Sequence, residues 1–377
     1  MTGRPLTVLH LVANRWWTGS ADPAIRLVQG LRARGHTVEL GLIAGDRFEA
    51  KAREAGIEPL AGLSLEAKID PLGLARDVTR LRRLVRGRAI DVVHAHHSHD
   101  HWLGQLCRGR AALVRTFHNH RSVGLGWPAR RLYKRTDAVI AVSRPIEERC
   151  VRAGVPRERV HRVGGVIPVE RFLGAASADA VRRELGLGPE PLVGSVARLA
   201  HNRGHETLIR GFQQLLATYP QARLLLVGKG EARDRLEGLV GDLRLGDRVL
   251  FTGYRDADLP AVLQALDAFV LMGAGSDESC RAALEAMAAG RPVVARRVGA
   301  LPDAVHHGAT GLLLDDDRPE SVEAALRALL ADPARARAMG EAGRRRARDE
   351  FSPERHAEEV EAIYRAVLAG REARAHR

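Results

Sequence analysis

A chain of 377 residues with 45% hydrophobic side chains is too long for one ordinary core and too apolar for disorder, and it has no unbroken apolar run of about 20 residues to span a membrane. Its net charge of +13 is almost all arginine and is lopsided: residues 1–175 hold 30 Lys and Arg against 16 Asp and Glu, whereas residues 176–377 hold 29 against 30. The basic first half implies an anionic partner, and three scattered cysteines give neither a disulfide framework nor a zinc knuckle.

From the N-terminus, TVLHLVA (7–13) reads as a buried strand. The lack of a small-residue cleavage site argues against a signal peptide, and the unpaired cysteines suit a reducing cytoplasm. NRWWTGSADP leads into a helix with Ile25, Leu27, Val28 and Leu31 at helical spacing, closed by Gly35. Strands follow at TVELGLIAG (37–45), DVVHAH (91–96), ALVRTFHN (112–119) and AVIAVS (138–143), and VHRVGGVI is the last of this half. The second half repeats the rhythm with LVGSVARL (192–199), ARLLLVGKG (222–230), RVLFTGY (248–254), AFVLMG (268–273) and PVVARRVG (292–299).

Near-continuous apolar strands separated by helices indicate parallel sheets covered on both faces. The expected architecture is α/β, with two Rossmann-like domains facing a cleft. The first spans 1–172 and the second 191–352, joined by a linker at 173–190. A C-terminal helix at 353–377, opened by Ser352 as N-cap and Pro353, is expected to pack back toward the first domain.

The segment GSDESCRAALEAMAAGRPVVARRVGALPDAV (275–305) carries the chemistry. Its spacing predicts a loop after a strand, then a helix from about Ser279 to Ala289. Beyond the carboxyl end of a parallel strand, Ser279, Cys280 and Arg281 would offer backbone N–H groups to a phosphate or sugar. Asp277 and Glu285, eight residues apart, are placed to accept hydrogen bonds from hydroxyls along a long ligand.

These residues, with AMAAGRPVVA, VGALPDAV and GATGLLL, closely resemble the nucleotide-sugar site of glycosyltransferase family 4, which has the GT-B fold. The family's usual pair is Glu and Glu; here Asp277 keeps the first charge on a shorter arm. SVARLAHNRGHETLI resembles the family's phosphate clamp, with Arg198 in place and Arg203 where lysine is usual. The resemblance spans nearly the whole chain and is strongest over 190–315.

It implies a retaining transferase that moves a sugar from a nucleotide-sugar donor to a glycan or lipid-linked acceptor. An anionic acceptor such as lipopolysaccharide or another cell-envelope glycoconjugate would suit the basic first half. Glu285 would bind the ribose and Asp277 the sugar, while Arg198 and Arg203 neutralise the diphosphate. Ser279, Cys280, Arg281, Gly19 and Tyr254 complete the donor set. His118 matches the family histidine that reaches the sugar from the opposite domain, and no metal or other cofactor is expected.

The run DVVHAHHSHDHWLG contains His94, His96, His97, His99 and His101. A same-face His94/His96 pair suits zinc. The favoured reading instead sets His96, His97, His99 and Asp100 on the acceptor side, with Trp16 and Trp17 from the first loop. Basic segments RLRRLVRGR (80–88) and GWPARRLYKRTD (126–137) suit peripheral contact with an anionic membrane at its cytoplasmic face. Two alternatives stay open: a non-catalytic GT-B partner subunit and a zinc-dependent hydrolase. Nucleic acid is not expected as a partner, for want of a recognition motif.

Overall fold

The computed structural model describes residues 3–14, 21–66, 71–174, 177–275 and 278–375. The chain divides into two compact units, residues 1–166 with 353–377, and residues 167–352. Each unit is built on a six-stranded, wholly parallel sheet.

In the first unit the strands are β1 (Thr7–Val12), β2 (Thr37–Leu42), β3 (Val92–Ala95), β4 (Ala112–Phe117), β5 (Ala138–Ala141) and β6 (Val160–Arg162), in the order β2-β1-β3-β4-β5-β6. Every residue of β3, β4 and β5 is buried, because helices cover both faces of a parallel sheet. The helices that bear on function are α1 (Ala21–Ala33), α2 (Pro71–Gly87), α3 (Ser98–Cys107) and α4 (Trp127–Lys134).

In the second unit β7 (Leu192–Val196), β8 (Arg223–Val227), β9 (Val249–Gly253), β10 (Ala268–Leu271), β11 (Val293–Arg296) and β12 (Gly311–Leu314) are ordered β12-β11-β10-β7-β8-β9. Helix α5 (Arg281–Ala288) follows β10, and α6 (Pro353–Ala375) returns the chain to the first unit. Strand β12, the four residues GLLL, was not anticipated from sequence.

α6 lies against α1, where Gly30 allows close approach. A Cβ at Gly30 would stand 2.7 Å from Ala357 Cβ and 3.1 Å from the Pro353 carbonyl. Beside this contact Glu361 accepts hydrogen bonds from Arg34 at 2.5 Å and Arg365 at 2.7 Å, and lies 3.3 Å from His36 Nε2. Tyr364, fully buried, enters the core of the same unit.

The segment 173–190, expected as a linker, belongs to the second unit. Val181 and Leu187 are buried in its core, and Arg182 donates to the carbonyls of Ala265, Gly188 and Glu190. The Ala, Gly and Pro content suggested a tether; the buried side chains make the segment part of the fold.

Candidate functional site

In the second unit β7 lies beside β10, while their connections run to opposite sides of the sheet. Open α/β sheets bind ligands beyond the carboxyl ends of strands at such a switch point. Arg198 and Arg203 follow β7, and Gly275 with α5 follows β10.

Arg203 is half-buried against the second of these segments. Gly275 has φ +79°, and a Cβ there would lie 1.5 Å from Arg203 Nη1, so the guanidinium packs directly on bare backbone. Burial lowers the Arg203 pKa, with the Cys280 thiol opposing the shift. It stays a cation at neutral pH. Arg198 extends outward, its side chain 71% exposed and paired with Glu231 at 3.0 Å.

Cys280 stands at the N-cap of α5 in the left-handed region, with φ +55° and ψ +43°. The turn is held from behind: Ala300 N–H donates to the Glu278 carbonyl at 2.8 Å, and Cys280 Sγ to the same oxygen at 3.4 Å. One turn into the helix Glu285, 8% exposed, accepts from Arg281 Nη2 at 3.1 Å. Ser279 is buried next to the turn. The start of a helix carries N–H groups without intrahelical acceptors, which suits a phosphate. Tyr254 is 55% exposed but follows the edge strand β9, three strands from β10. Asp277 lies outside the described residues.

In the first unit a histidine cluster occupies the carboxyl ends of β1, β3 and β4. His10 is in register with His94, and His94 with Val114. Side chains alternate along strands, so His10, His94 and Thr116 share a face, which His96 and His118 extend two residues on. His94 Nδ1 lies 2.5 Å from the Tyr364 hydroxyl and Nε2 2.7 Å from Thr116 Oγ1. His10 Nδ1 meets His96 Nε2 at 3.1 Å, and His96 Nδ1 meets His118 Nε2 at 3.4 Å. Burial drives His10 down to about 3, and His94, His96 and His118 well below their ordinary range. These rings are neutral at physiological pH.

Ring nitrogens of His10, His94 and His96 come within 4.8 Å of one another. Both nitrogens of His94 are committed to hydroxyls, and both of His96 to neighbouring rings. A metal ion bound by the trio would therefore have to displace at least one of these hydrogen bonds at His94 and one at His96.

Asp100, expected to touch the acceptor, is fully buried. It accepts from Ala13 N at 3.0 Å, His96 N at 3.3 Å and His97 N at 2.7 Å, and faces buried Arg115 at 3.8 Å. It ties the ends of β1 and β3 to the start of α3 and has no surface to offer a ligand. His96, 3% exposed, is likewise interior, whereas His97 and His99 are half-buried. Trp16, Trp17 and Gly19 lie outside the described residues. His10 was not anticipated from sequence, because one histidine inside TVLHLVA reads as a core residue; only the register of β1 with β3 brings it to the cluster.

Residues 19–171 match the family described as Glycosyltransferase Family 4, and residues 177–346 match Glycosyl transferases group 1. The chain is 31% identical over 347 residues to the GDP-mannose-dependent alpha-(1-6)-phosphatidylinositol monomannoside mannosyltransferase of Mycobacterium tuberculosis, covering 85% of this chain and 86% of that one. With the enzyme of the same description from Mycolicibacterium smegmatis it is 34% identical over 267 residues, covering 66% and 69%.

The chain belongs to glycosyltransferase family 4.

The transferase has the GT-B fold. A glycosyltransferase structure from Rickettsia africae superposes with a TM-score of 0.86 at 16% identity, over 97% of this chain and 99% of that one. As a member of this family it moves a sugar from a nucleotide-sugar donor. Among its described residues no helix is long and apolar enough to cross a membrane.

The basic surface of the transferase has a defined shape at α2. Gly62, Leu72, Arg76, Arg80, Arg83 and Arg88 line an open groove of about 910 Å³, at whose mouth Leu72 is 78% exposed. In α4, Leu132 and Tyr133 point into the core, while Trp127 is exposed with the Arg131 guanidinium 5.6 Å from its ring centre.

Proposed function

We propose that this transferase moves mannose from GDP-mannose to a phosphoinositol-bearing glycolipid, with retention of configuration and without a catalytic metal. The two mycobacterial relatives, whose names specify that donor and that class of acceptor, support the substrates. The observation that carries the donor site is the start of α5, where Glu285 follows the Cys280 N-cap by about 7.5 Å of helix, at about 1.5 Å per residue. Glu285 accepts hydrogen bonds from the ribose hydroxyls, and the first turn of α5 with Arg198 and Arg203 holds the diphosphate. Asp277 and His118 hydrogen-bond to the transferred sugar.

The acceptor hydroxyl attacks the anomeric carbon as the bond from that carbon to the diphosphate oxygen breaks. The hydroxyl proton passes to the departing diphosphate on the same face, so the transferred sugar keeps its configuration. Arginine charge on the leaving group lowers the barrier because negative charge grows there in the transition state. A phosphate-bearing, membrane-held acceptor suits the excess of cations in the first half and the exposed apolar residues at the α2 groove.

The experiment is transfer from GDP-mannose, UDP-glucose and GDP-glucose to phosphatidylinositol and its monomannoside in EDTA, with product configuration read by NMR. An α-mannosyl lipid formed from GDP-mannose is expected. A β-linked product would refute retention, and activity only after metal is restored would refute metal independence.

A further inference from the structure

The file His10–His96–His118 crosses three adjacent parallel strands as an unbroken chain of ring-to-ring hydrogen bonds, 3.1 Å and then 3.4 Å long. A neutral imidazole has one donor nitrogen and one acceptor nitrogen. Three neutral rings linked in this way therefore have only two consistent proton orders. In one, His10 Nδ1–H donates to His96 Nε2, His96 Nδ1–H donates to His118 Nε2, and His118 carries its proton on Nδ1. In the other every bond reverses, and His118 carries its proton on Nε2.

The two orders differ at the buried end. His10 is fully buried, and its Nε2 has no hydrogen-bond partner. The reversed order puts an N–H there; the forward order leaves only a lone pair. A buried N–H with no acceptor is the rarer and costlier of the two defects. His94 does not relax this choice, since both of its nitrogens are held by Tyr364 and Thr116. At the other end His118 is 6% exposed, and its Nδ1, unlike Nε2 of His10, is not a buried atom lacking a hydrogen-bond partner.

We propose that His10 and His96 are positioning residues that lock His118 in the tautomer with its proton on Nδ1, so that it presents a hydrogen-bond donor, and not a base, to the ligand. The catalytic consequence rests on the reading of His118 as a partner of the transferred sugar, whereas the tautomer does not. With its lone pair occupied by His96, His118 offers an N–H to a sugar hydroxyl or phosphate oxygen and takes no proton from the acceptor. This agrees with a reaction whose proton leaves on the diphosphate.

The test is a long-range proton–nitrogen NMR spectrum of the full-length protein labelled with [15N]histidine, His118 being assigned by its loss in His118→Ala. The expected result is a proton on Nδ1 of His118; a proton on Nε2, or an even mixture, would overturn the proposal. His96→Leu is expected to let the His118 tautomers mix and to lower kcat about tenfold, the low end of what loss of an orienting partner costs. His96→Asn, whose amide N–H replaces Nδ1–H, should restore both. An Asn variant as defective as Leu, in a folded protein, would mean that His96 only fills space. If His118 is locked on Nδ1 but His118→Ala transfers sugar at the wild-type rate, the tautomer stands and the role of His118 in the reaction falls.

Discussion

Asp100 and Glu285 are both carboxylates that sequence reading assigned to ligands, yet their surroundings differ. Asp100 gathers three backbone N–H groups and Arg115 in the interior. Asp100→Ala leaves those donors unsatisfied, and a fall in stability of about 2–4 kcal/mol is expected, since buried unpaired donors cost about 1–3 kcal/mol each and partly relax. Chemical denaturation measures this, and an unchanged midpoint would contradict it. Glu285 is also buried, at 8% exposed, but the hydrogen bond it accepts comes from Arg281, one turn away on its own helix, so Glu285→Ala should cost less, about 1–2 kcal/mol. The donor KM should rise about 10- to 100-fold, as expected for a lost charged hydrogen bond of about 1.5–3 kcal/mol.

Glu361 illustrates the pH sign. Burial alone would raise its pKa, but hydrogen bonds from Arg34, Arg365 and His36 hold it at about 2, below its ordinary 4.5. A carboxylate depressed on folding stabilises the folded state above its unfolded pKa. That stability is lost as pH falls through the folded pKa. The stability gap between the wild type and Glu361→Gln should therefore be full above about 4.5 and close toward 2. Parallel melting curves across that range test it, and a gap independent of pH would contradict the assignment.

At the scale of elements, the parallel sheets could be read from runs such as DVVHAH and ARLLLVGKG, because strands buried on both faces must be apolar throughout. Their ends were overread. TVELGLIAG stops pairing at Leu42, and LVGSVARL at Val196, since apolar residues run on into loops that also face the interior. The loop-and-helix signature at α5 was legible because glycine, proline and helical spacing punctuate it. The histidine cluster was only half legible: spacing put His94 and His96 on one face, but strand register alone adds His10, and only the return of α6 adds Tyr364. Asp100 was misread because its hydrogen-bond partners lie on two strand ends far apart in sequence.

The return of α6 depends on Gly30. Gly30→Val places atoms where Ala357 and the Pro353 carbonyl already are, so α6 must shift. A loss of about 1–3 kcal/mol is expected, the usual range for overpacking a close contact. Ala357→Gly, which removes the nearest methyl, should recover part of it. No recovery would mean that the helices do not meet through this pair.

For the whole molecule, charge and chemistry are divided between the halves: an acid-poor, net-basic first half and a charge-balanced second half that holds α5. If the α2 groove meets an anionic membrane, the triple substitution Arg76→Glu, Arg80→Glu and Arg83→Glu should weaken binding to phosphatidylinositol vesicles at least tenfold. Each basic residue near such a surface contributes about 1 kcal/mol, and the effect should fade as salt shortens the screening length. Vesicle co-sedimentation at two ionic strengths reads this directly, and equal binding by the variant would place the contact elsewhere.

The central claim is nucleotide-sugar transfer through the α5 site, and the most direct measurement is incorporation of labelled mannose from GDP-mannose into a phosphatidylinositol monomannoside acceptor, in EDTA, by the wild type and Glu285→Ala side by side. The account predicts labelled lipid from the wild type and a loss in the variant that saturating GDP-mannose largely recovers. Equal transfer by both proteins at low donor concentration would contradict it, because the donor would then bind somewhere other than α5.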